Sequence, residues 1–444
     1  MNIRKLKPGT FVELQCKHFV AEGLGLSYFT DETQKEKFKP HVFFIWGVLP
    51  GETFVARIAQ VKSKNAQGVL ARRNELPAGL AGEFAHSIWA LRTLSPERAC
   101  PVCENYLRCG GCRMRHMSYD QTLHYKEEWL KSQLTRNKVE VAAMEFHSLP
   151  EETRLHYRNH AQVHINKFGT YGFYEPVSYR TRAFPDHGCL IFDEKSLRAS
   201  FPKYPVEVRA GRIRLNTDGT AVFTVLNSKE ELNELARYTV QWPHGRSIDI
   251  EFPVTVFFQA NLRALPFWLD AISGFLERAQ TERPRVLEMF SGFGFISRML
   301  SILQPMEVLA MDILSTEQVA QVKFFENGQE IISDFSGRYR KVDLFLPEKL
   351  PAEALKAVSE FEPELLLINP PRAGLLPATW KKMRELALSE FDGPIVYSSC
   401  DAATMARDLA VFCAEGYHCE SMRVFDFFPW THHYETVSYL KKSR

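Results

Sequence analysis

The sequence predicts a three-part chain that ends in a doubly wound α/β domain. Its 444 residues exceed the usual size of one hydrophobic core, so two or three domains are expected. Short β-rich runs separated by glycine-containing turns fill residues 8–73, and strand-like segments return between 155 and 250. From about residue 257, short apolar runs alternate with helical stretches. These patterns predict a small antiparallel barrel, a second β-rich region and a parallel sheet covered by helices.

The composition is that of an ordinary folded protein. Apolar residues make up 45% of the chain and charged residues 24%, which excludes the intrinsically disordered class. The start, MNIRKLKPGTFVEL, lacks the apolar stretch and cleavage site of a secretory signal. No apolar run is long enough to form a membrane-spanning helix. We therefore expect a cytoplasmic protein without a membrane partner.

The charge of the chain is nearly balanced. With a net charge of only +2, any affinity for RNA must come from local patches. Residues 1–74 carry twelve Lys and Arg against six Asp and Glu. From the charge alone, an RNA-binding surface and an ordinary solvated surface are about equally consistent with this excess.

Individual segments show the periodicity of strands and helices. HVFFIWGVLPGETFVARIAQV predicts barrel strands, and SYDQTLHYKEEWLKSQLTRN predicts a helix with Leu123, Trp129 and Leu130 available for one face. HYRNHAQVHI, GTYGFYEP, RIRLN and AVFTVLN predict the central strands, and RVLEMF, EVLAMD, ELLLIN and GPIVYSS those of the parallel sheet. The expected domains are 1–74, 75–250 and 251–444, with the helical segment at about 117–140 able to pack on the last domain.

A cofactor site is predicted where RVLEMFSGFGFISRML passes from strand to helix. Gly292 and Gly294 permit close approach of the backbone to a ligand at the carboxyl end of the sheet. Asp312 ends the next strand, where an acidic residue can accept hydrogen bonds from ribose hydroxyls. The third glycine of the dinucleotide fingerprint is missing. A nucleoside cofactor without pyrophosphate therefore fits better, and S-adenosylmethionine is the expected one.

Four late segments concentrate the reactive residues: FFQAN (257–261), NPPRAGL (369–375), YSSC (397–400) and FDFFPWTHHYE (425–435). Cys400 offers a nucleophile and Glu435 a base, provided that the fold brings them together. Without their context, a single cysteine at a strand end is more often a small buried hydrophobe, and a glutamate near the terminus is usually solvated. His432 and His433 are candidate bases or structural partners.

Together these segments resemble the RNA (uracil-5)-methyltransferases of 23S ribosomal RNA. These ribosomal RNA enzymes form the iron–sulfur branch of a family that also contains the tRNA (uracil-5)-methyltransferases. The resemblance covers nearly the whole chain and implies a Rossmann-like, S-adenosylmethionine-dependent methyltransferase domain. YSSCDAATMARDL is similar to the nucleophile motif, which implies Cys400 as the attacking thiol. FPWTHHYE resembles the segment that ends in the catalytic base, here Glu435.

The same resemblance implies further cofactor-binding residues. FFQAN implies Gln259 as a ligand of S-adenosylmethionine, and KVDLF implies that Asp343 lies near the adenine. LEMFSGFG matches the glycine motif and carries Phe290. At Asn369, in NPPR, the family usually has Asp, so this position keeps hydrogen-bonding capacity but loses a negative charge.

The cysteine cluster is predicted to hold a metal centre, because a tight group of cysteines in a reducing compartment favours one. The resemblance implies a [4Fe–4S] cluster on Cys103, Cys109, Cys112 and Cys189. Cys100 could replace Cys103, since it precedes a proline as the family's first ligand often does. A zinc site on Cys100, Cys103, Cys109 and Cys112 is the alternative.

The resemblance also assigns the amino-terminal stretch to the TRAM domain, an RNA-binding barrel of the OB type. RNA is therefore the expected partner, 23S ribosomal RNA in preference to tRNA, and a monomer is the expected state. Two other functions remain as alternatives. NPPR also occurs in methyltransferases of exocyclic base amino groups, and an inactive RNA-binding scaffold belongs to a different class.

Overall fold

A closed five-stranded barrel forms the amino-terminal part of the protein. The computed structural model describes residues 4–178, 180–185, 188–192, 210–225, 234–279, 281–332 and 335–442. The elements of this part are β1 (Arg4–Lys5), β2 (Phe11–Val20), β3 (Leu24–Phe29), α1 (Glu32–Lys37), β4 (Phe38–Lys39), β5 (Phe43–Trp46), β6 (Thr53–Val61) and β7 (Ala66–Leu70). The barrel order is β2-β3-β5-β7-β6. Alternate residues of β2 face the core, as the period of a strand requires.

The barrel differs from the antiparallel prediction at one pair of strands. β5 and β7 run parallel, while the other neighbouring pairs are antiparallel. The reason is geometric, because a closed ring with an odd number of strands cannot alternate direction at every step.

The central part contributes elements to three different sheets. They are α2 (Tyr119–Arg136), β8 (Val141–His147), β9 (His160–Ile165), β10 (Tyr171–Tyr174), β11 (Thr181–Ala183), β12 (Ala210–Leu215), β13 (Ala221–Val225), β14 (Leu235–Gln241) and β15 (Ser247–Pro253). β9 to β13 form a five-stranded sheet in the order β11-β10-β9-β12-β13. The strands predicted from HYRNHAQVHI, GTYGFYEP, RIRLN and AVFTVLN are confirmed. The part of the predicted region at 193–209 lies outside the described residues.

The carboxy-terminal part is an α/β domain. Its elements are α3 (Leu265–Leu276), β16 (Arg285–Met289), α4 (Phe295–Leu303), β17 (Glu307–Asp312), α5 (Thr316–Ala320), β18 (Lys323–Glu326), β19 (Gln329–Glu330), β20 (Tyr339–Lys341), α6 (Ala352–Phe361), β21 (Leu365–Ile368), α7 (Pro377–Leu386), β22 (Ile395–Ser399), α8 (Ala402–Ala414), β23 (Tyr417–Phe425) and β24 (Glu435–Lys442). The eight-stranded sheet has the order β20-β17-β16-β21-β22-β24-β23-β8. Its first five strands run parallel, and β24 is antiparallel to both of its neighbours. The four strands predicted for the parallel sheet, β16, β17, β21 and β22, are confirmed.

Two pieces of the predicted central segment 75–250 pack with this last domain. β8 pairs with β23 and extends the eight-stranded sheet. β14 and β15 join β18 and β19 in a separate sheet whose apolar side packs with α3. The boundary predicted at residue 250 falls inside β15. The predicted boundary is misplaced because the two-residue period of a strand indicates that a strand forms but does not indicate which strand it pairs with.

Helix α2 packs on the last domain, in the way that the sequence allowed. Leu130 and Leu134 share a core with Met405, Leu409 and Phe412 of α8. Its buried face consists of Tyr119, Thr122, Lys126, Leu130 and Leu134, while Leu123 and Trp129 are half-buried. A buried lysine at the centre of this face is the part that apolar periodicity could not predict. Among the described residues, no helix combines the length and apolarity needed to cross a bilayer.

Candidate active site

A cavity of about 940 Å³ opens at the carboxyl ends of the parallel strands. This edge of a doubly wound sheet is the usual ligand-binding crevice. Among its lining residues are those predicted for catalysis and cofactor binding, with the exception of Gly294: Gln259, Phe290, Gly292, Asp312, Asp343, Asn369, Cys400 and Glu435. Trp46 of the barrel and Arg113 of the cysteine-bearing segment line it from the opposite side, with the Arg113 guanidinium 4.2 Å from the Trp46 ring centre. The cavity is therefore built from all three parts of the chain.

The turn after β16 forms one wall of the cavity. Phe290 and Gly292 have φ angles of 60° and 57°, so this turn enters the left-handed region twice. A Cβ at Gly292 would meet only open space, which leaves the backbone accessible to a ligand. Gly294 is required for a different reason, which is the backbone conformation at the start of α4 and the close approach of Phe335. It begins α4 with φ of 76°, and a Cβ there would lie 1.9 Å from the Phe335 ring.

Asp312 lies beside this turn at the end of β17. Its Oδ2 accepts the Gly292 N–H at 2.8 Å and its Oδ1 accepts the Ile313 N–H at 2.7 Å. Oδ1 also accepts the Leu314 N–H at 3.3 Å, so the acceptor capacity that remains for a ligand hydroxyl lies on Oδ2. Burial raises the pKa of Asp312 above its ordinary value.

Two aromatic rings lie next to the acidic residues. The ring centres of Phe290 and Phe345 are 5.5 Å apart, and both rings line the cavity with Asp343. The Phe345 N–H donates to Asp343 Oδ1 at 2.9 Å. Apolar faces beside oxygen acceptors are the surroundings that an adenosine moiety requires, so this crevice fits the nucleoside part of S-adenosylmethionine. Phe345 was not predicted, although it is only two residues after Asp343 in KVDLF.

Strand pairing brings Cys400 and Glu435 together. β22 and β24 are antiparallel with Ser399 opposite Thr436, so the next residues outward, Cys400 and Glu435, face each other across the end of the ladder. Glu435 is 3% exposed. Burial raises its pKa to about 8, while the cationic Arg372 acts in the opposite direction. Burial and the neighbouring Glu435 raise the pKa of the Cys400 thiol to about 12, and Arg372 again opposes the shift.

Arg372, the last residue of NPPR, is thus the cation that favours the ionised forms of both groups. Its Nη2 donates to Nε2 of His433 at 3.2 Å. Burial and nearby positive charge lower the pKa of His432 to about 3, and burial lowers that of His433 to about 2. Both imidazoles are therefore neutral near pH 7 and poor proton acceptors. The sequence motif NPPR predicted a role for Asn369, but no role was predicted for Arg372.

The segment that leads into Glu435 is anchored by buried polar contacts. Lys126 Nζ lies 2.6 Å from Asp426 Oδ1 and donates to the Phe428 carbonyl at 3.2 Å. Both side chains of this ion pair are almost fully buried. The Met114 N–H donates to the Trp430 carbonyl at 3.0 Å, and the Arg115 guanidinium stacks 3.8 Å from the Trp430 ring centre. Helix α2 and the cysteine-bearing segment therefore position the start of β24.

A second group of reactive side chains lies between the barrel and the central sheet. Cys103, Cys109, Cys112 and Cys189 line one small cavity with Arg115 and Arg182. Burial raises the pKa of Cys109 to about 12, with the nearby Cys189 and Cys103 adding to the shift. Cys100 is exposed and does not line this cavity. Within the described ranges, no three His, Cys, Asp or Glu side chains are arranged as ligands of a single metal ion.

Comparisons with known proteins agree with this architecture. Residues 244–443 match the sequence model of the family described as tRNA (Uracil-5-)-methyltransferase. A relative from Leptospira interrogans, named an uncharacterized RNA methyltransferase, is 25% identical over 94% of this chain and 93% of its own length. The 23S rRNA (uracil(1939)-C(5))-methyltransferase RlmD of Shewanella sp. is 26% identical over 89% of this chain and 90% of its own.

A solved structure has the same fold. The tRNA (uracil-54, C5)-methyltransferase of Pyrococcus abyssi, in complex with S-adenosyl-L-homocysteine, aligns with a TM-score of 0.64. It is 18% identical, and the alignment covers 96% of this chain and 99% of that one. The carboxy-terminal domain thus has the fold of S-adenosylmethionine-dependent methyltransferases. Residues 244–443 of this chain thus match the family described as tRNA (Uracil-5-)-methyltransferase, and over most of its length the chain is similar to proteins named as RNA methyltransferases.

Proposed function

We propose that the protein methylates carbon 5 of a specific uridine in 23S ribosomal RNA through a covalent adduct with Cys400. The observation that carries the proposal is the position of Cys400 and Glu435. They face each other at the end of β22 and β24, in the same cavity as Asp312 and Asp343. A nucleophile, a base and a nucleoside-binding crevice in one cavity are the parts that this reaction needs.

S-adenosylmethionine, when bound, supplies an electrophilic methyl group. We assign its nucleoside part to the crevice formed by Phe290, Gly292, Asp312 and Asp343, with Phe345 as an added wall. Gln259 and Asn369 line the same cavity and are placed to contact the rest of the molecule. Gly294 contributes through the turn that it permits, because it does not line the cavity.

The reaction begins with the uridine turned out of its stack, since carbons 5 and 6 are inaccessible within it. The Cys400 sulfur forms a bond to carbon 6, and the electron pair of the 5,6 double bond passes into an enolate. Because burial raises the pKa of Cys400 to about 12, its proton must pass to solvent as the sulfur attacks, which keeps Glu435 free for the later step. The positive charge of Arg372 favours this loss. Carbon 5 then forms a bond to the methyl group, whose bond to the sulfonium sulfur breaks and leaves S-adenosylhomocysteine.

Glu435 completes the turnover. Its carboxylate removes the proton from carbon 5, the double bond reforms, and the bond between carbon 6 and sulfur breaks to release Cys400. Arg372 favours the carboxylate, and neutral His433 orients Arg372 by accepting its hydrogen bond.

The activity should rise with pH through about 8, because burial raises the pKa of Glu435 to about 8. Only the carboxylate can accept the carbon 5 proton, and this step follows methyl transfer, so kcat should fall about tenfold per pH unit below that pKa. Arg372→Gln removes the cation that lowers the pKa of both Cys400 and Glu435. Its profile should therefore move to higher pH, while Arg372→Lys should stay close to the parent profile. Steady-state rates measured across the pH range test this, and a profile that moves to lower pH in Arg372→Gln would contradict it.

We further propose that the second group of cysteines holds a [4Fe–4S] cluster. Four thiols that line one cavity supply the donor set of such a cluster, in which each thiolate binds a different iron. The exposed position of Cys100 supports Cys103 as the first ligand.

The purified protein should be brown under anaerobic conditions and contain iron, because thiolate-bound iron clusters absorb visible light and zinc does not. Cys103→Ser and Cys189→Ser should each bleach the protein, whereas Cys100→Ser should leave the spectrum unchanged. Metal analysis and visible spectra measure these outcomes. Stoichiometric zinc without iron would disprove the cluster, and bleaching in Cys100→Ser alone would assign the first ligand to Cys100.

Ribosomal RNA is proposed as the substrate because the cysteine pattern belongs mainly to that branch and RlmD is among the relatives. Mapping of 5-methyluridine in ribosomal and transfer RNA, with and without the gene, tests the choice. A methylated amino group in place of 5-methyluridine would favour the amino-methyltransferase alternative. RNA binding without methyl transfer would favour a scaffold.

A further inference from the structure

A second large cavity lies beside the candidate active site. It has a volume of about 530 Å³ and lies between the barrel and the central part of the chain. Five arginines line it, accompanied by only two acidic residues: Arg57, Arg72, Arg108, Arg180 and Arg182 with Glu75 and Glu175. We call it the arginine groove. Its excess of positive charge favours an anionic occupant.

The arginines of this groove are incompletely partnered. Arg72 stacks over the Trp89 ring, with 5.0 Å between the guanidinium carbon and the ring centre. Its Nε is buried and has no hydrogen-bond partner in the part of the chain that the structure describes. Arg182 pairs with Glu175 through Nη2 at 2.5 Å, but its Nε also lacks a partner among the described residues. Buried donors without acceptors are costly, so an incoming oxygen acceptor would stabilise this arrangement.

The positive charges also repel one another. Burial lowers the pKa of Arg72, and the nearby guanidinium of Arg108 lowers it further. A phosphate group is the natural counterpart, because its oxygens match the planar fork of a guanidinium and neutralise the charge.

The arginine groove shares part of its wall with the candidate active site. Glu175, Pro176 and Val177 line both cavities. Val177 has φ of 54°, an unusual conformation for a β-branched residue, and packs against the barrel core. Such strain persists where the surroundings hold it, often at functional sites. A chain in the groove would therefore lie against residues that also line the cavity of Cys400.

We propose that the arginine groove binds the phosphates of a single-stranded RNA segment next to the target uridine. This inference rests on the proposed function, since it assumes that the uridine enters the cavity of Cys400. Arg72, Arg108 and Arg182 are half-buried in the groove, and such arginines suit a flexible single strand, whose backbone can follow the wall, better than a rigid duplex. Phosphate contacts fix the position of the strand without selecting its sequence.

The test uses the full-length protein with Arg72→Gln and Arg108→Gln combined. The affinity for a single-stranded RNA of about 20 nucleotides with one uridine should fall about tenfold at low salt. Each phosphate contact to a single strand releases counterions and contributes about 0.7 to the slope of log affinity against log salt. Loss of two contacts should therefore make this slope shallower by about 1.4. Binding of S-adenosylhomocysteine should be unchanged, which shows that the variant is folded.

Arg283→Gln is the matched control. Arg283 precedes β16, at the opposite edge of the sheet, and its side chain is 60% exposed. This variant should keep the parent affinity and salt slope. An equal loss in Arg283→Gln, or unchanged RNA binding in the groove variant, would overturn the proposal. An equal loss for a duplex of the same sequence would overturn the preference for a single strand.

The proposed function can fail independently of this inference. Methylation is measured separately on a short oligonucleotide limited to the uridine and its immediate neighbours. If the parent protein methylates no uridine but the groove variant still loses RNA affinity, the methyl-transfer proposal fails and the groove stands. If uridine is methylated and RNA affinity does not change, the groove assignment alone fails.

Discussion

Glu435→Gln should accumulate a covalent protein–RNA adduct, whereas Cys400→Ala should form none. Glutamine preserves the shape and hydrogen bonding of Glu435 but cannot accept the carbon 5 proton. Addition and methyl transfer can therefore proceed while elimination stalls, and turnover should fall by about 10²- to 10⁴-fold. Cys400→Ala removes the covalent route altogether, so methyl transfer should fall by at least about 10⁴-fold.

A denaturing gel with labelled RNA measures both outcomes. The Glu435→Gln protein should show a slow-migrating band that disappears when Cys400→Ala is added. Two matched controls should behave like the parent: Cys413→Ala, at a half-buried cysteine on α8, and Glu420→Gln, at a partly exposed residue of β23. Neither residue lines the cavity. An adduct that survives in the double variant would show that Cys400 is not the nucleophile.

Lys126→Met should destabilise the carboxy-terminal domain by about 3–5 kcal/mol, because it leaves the buried carboxylate of Asp426 without its partner. The two groups are 300 residues apart in the chain and join α2 to the catalytic segment. Replacement of both, as Lys126→Met with Asp426→Leu, should recover much of the loss, since apolar packing of similar volume often equals a buried ion pair. Urea unfolding of the parent, Lys126→Met, Asp426→Leu and the double variant measures the coupling.

Lys131→Met is the control on the same helix. Lys131 pairs with Glu127 at the surface, with the two side chains 51% and 38% exposed, so its removal should leave the unfolding transition unchanged. A loss in Lys126→Met no larger than in this control would show that the buried pair does not anchor the segment. The double variant should also show whether activity needs the ion pair itself or only the packing that it provides.

Local pattern was sufficient for much of the catalytic domain. The strands around LEMFSGFG, EVLAMD and YSSC were predicted because fully buried parallel strands are short apolar runs. Gly292 and Asp312 were found for the same kind of reason, since a tight turn requires glycine and a ribose requires an acceptor at the strand end. The resemblance of whole motifs, and not their spacing alone, selected Cys400 and Glu435.

The sequence by itself determined the order of elements and the residue types that carry the chemistry, because strand period, glycine turns and motif identity are properties of neighbouring residues. Only the tertiary structure decided which distant groups meet. It joined β8 to the catalytic sheet, paired Lys126 with Asp426, and placed Arg372 between Cys400, Glu435 and His433. It also formed the arginine groove from separate parts of the chain. These contacts depend on packing across long sequence separations, and burial then changes the pKa of each group. Neither the long-range packing nor the change of pKa on burial can be predicted from the pattern of neighbouring residues.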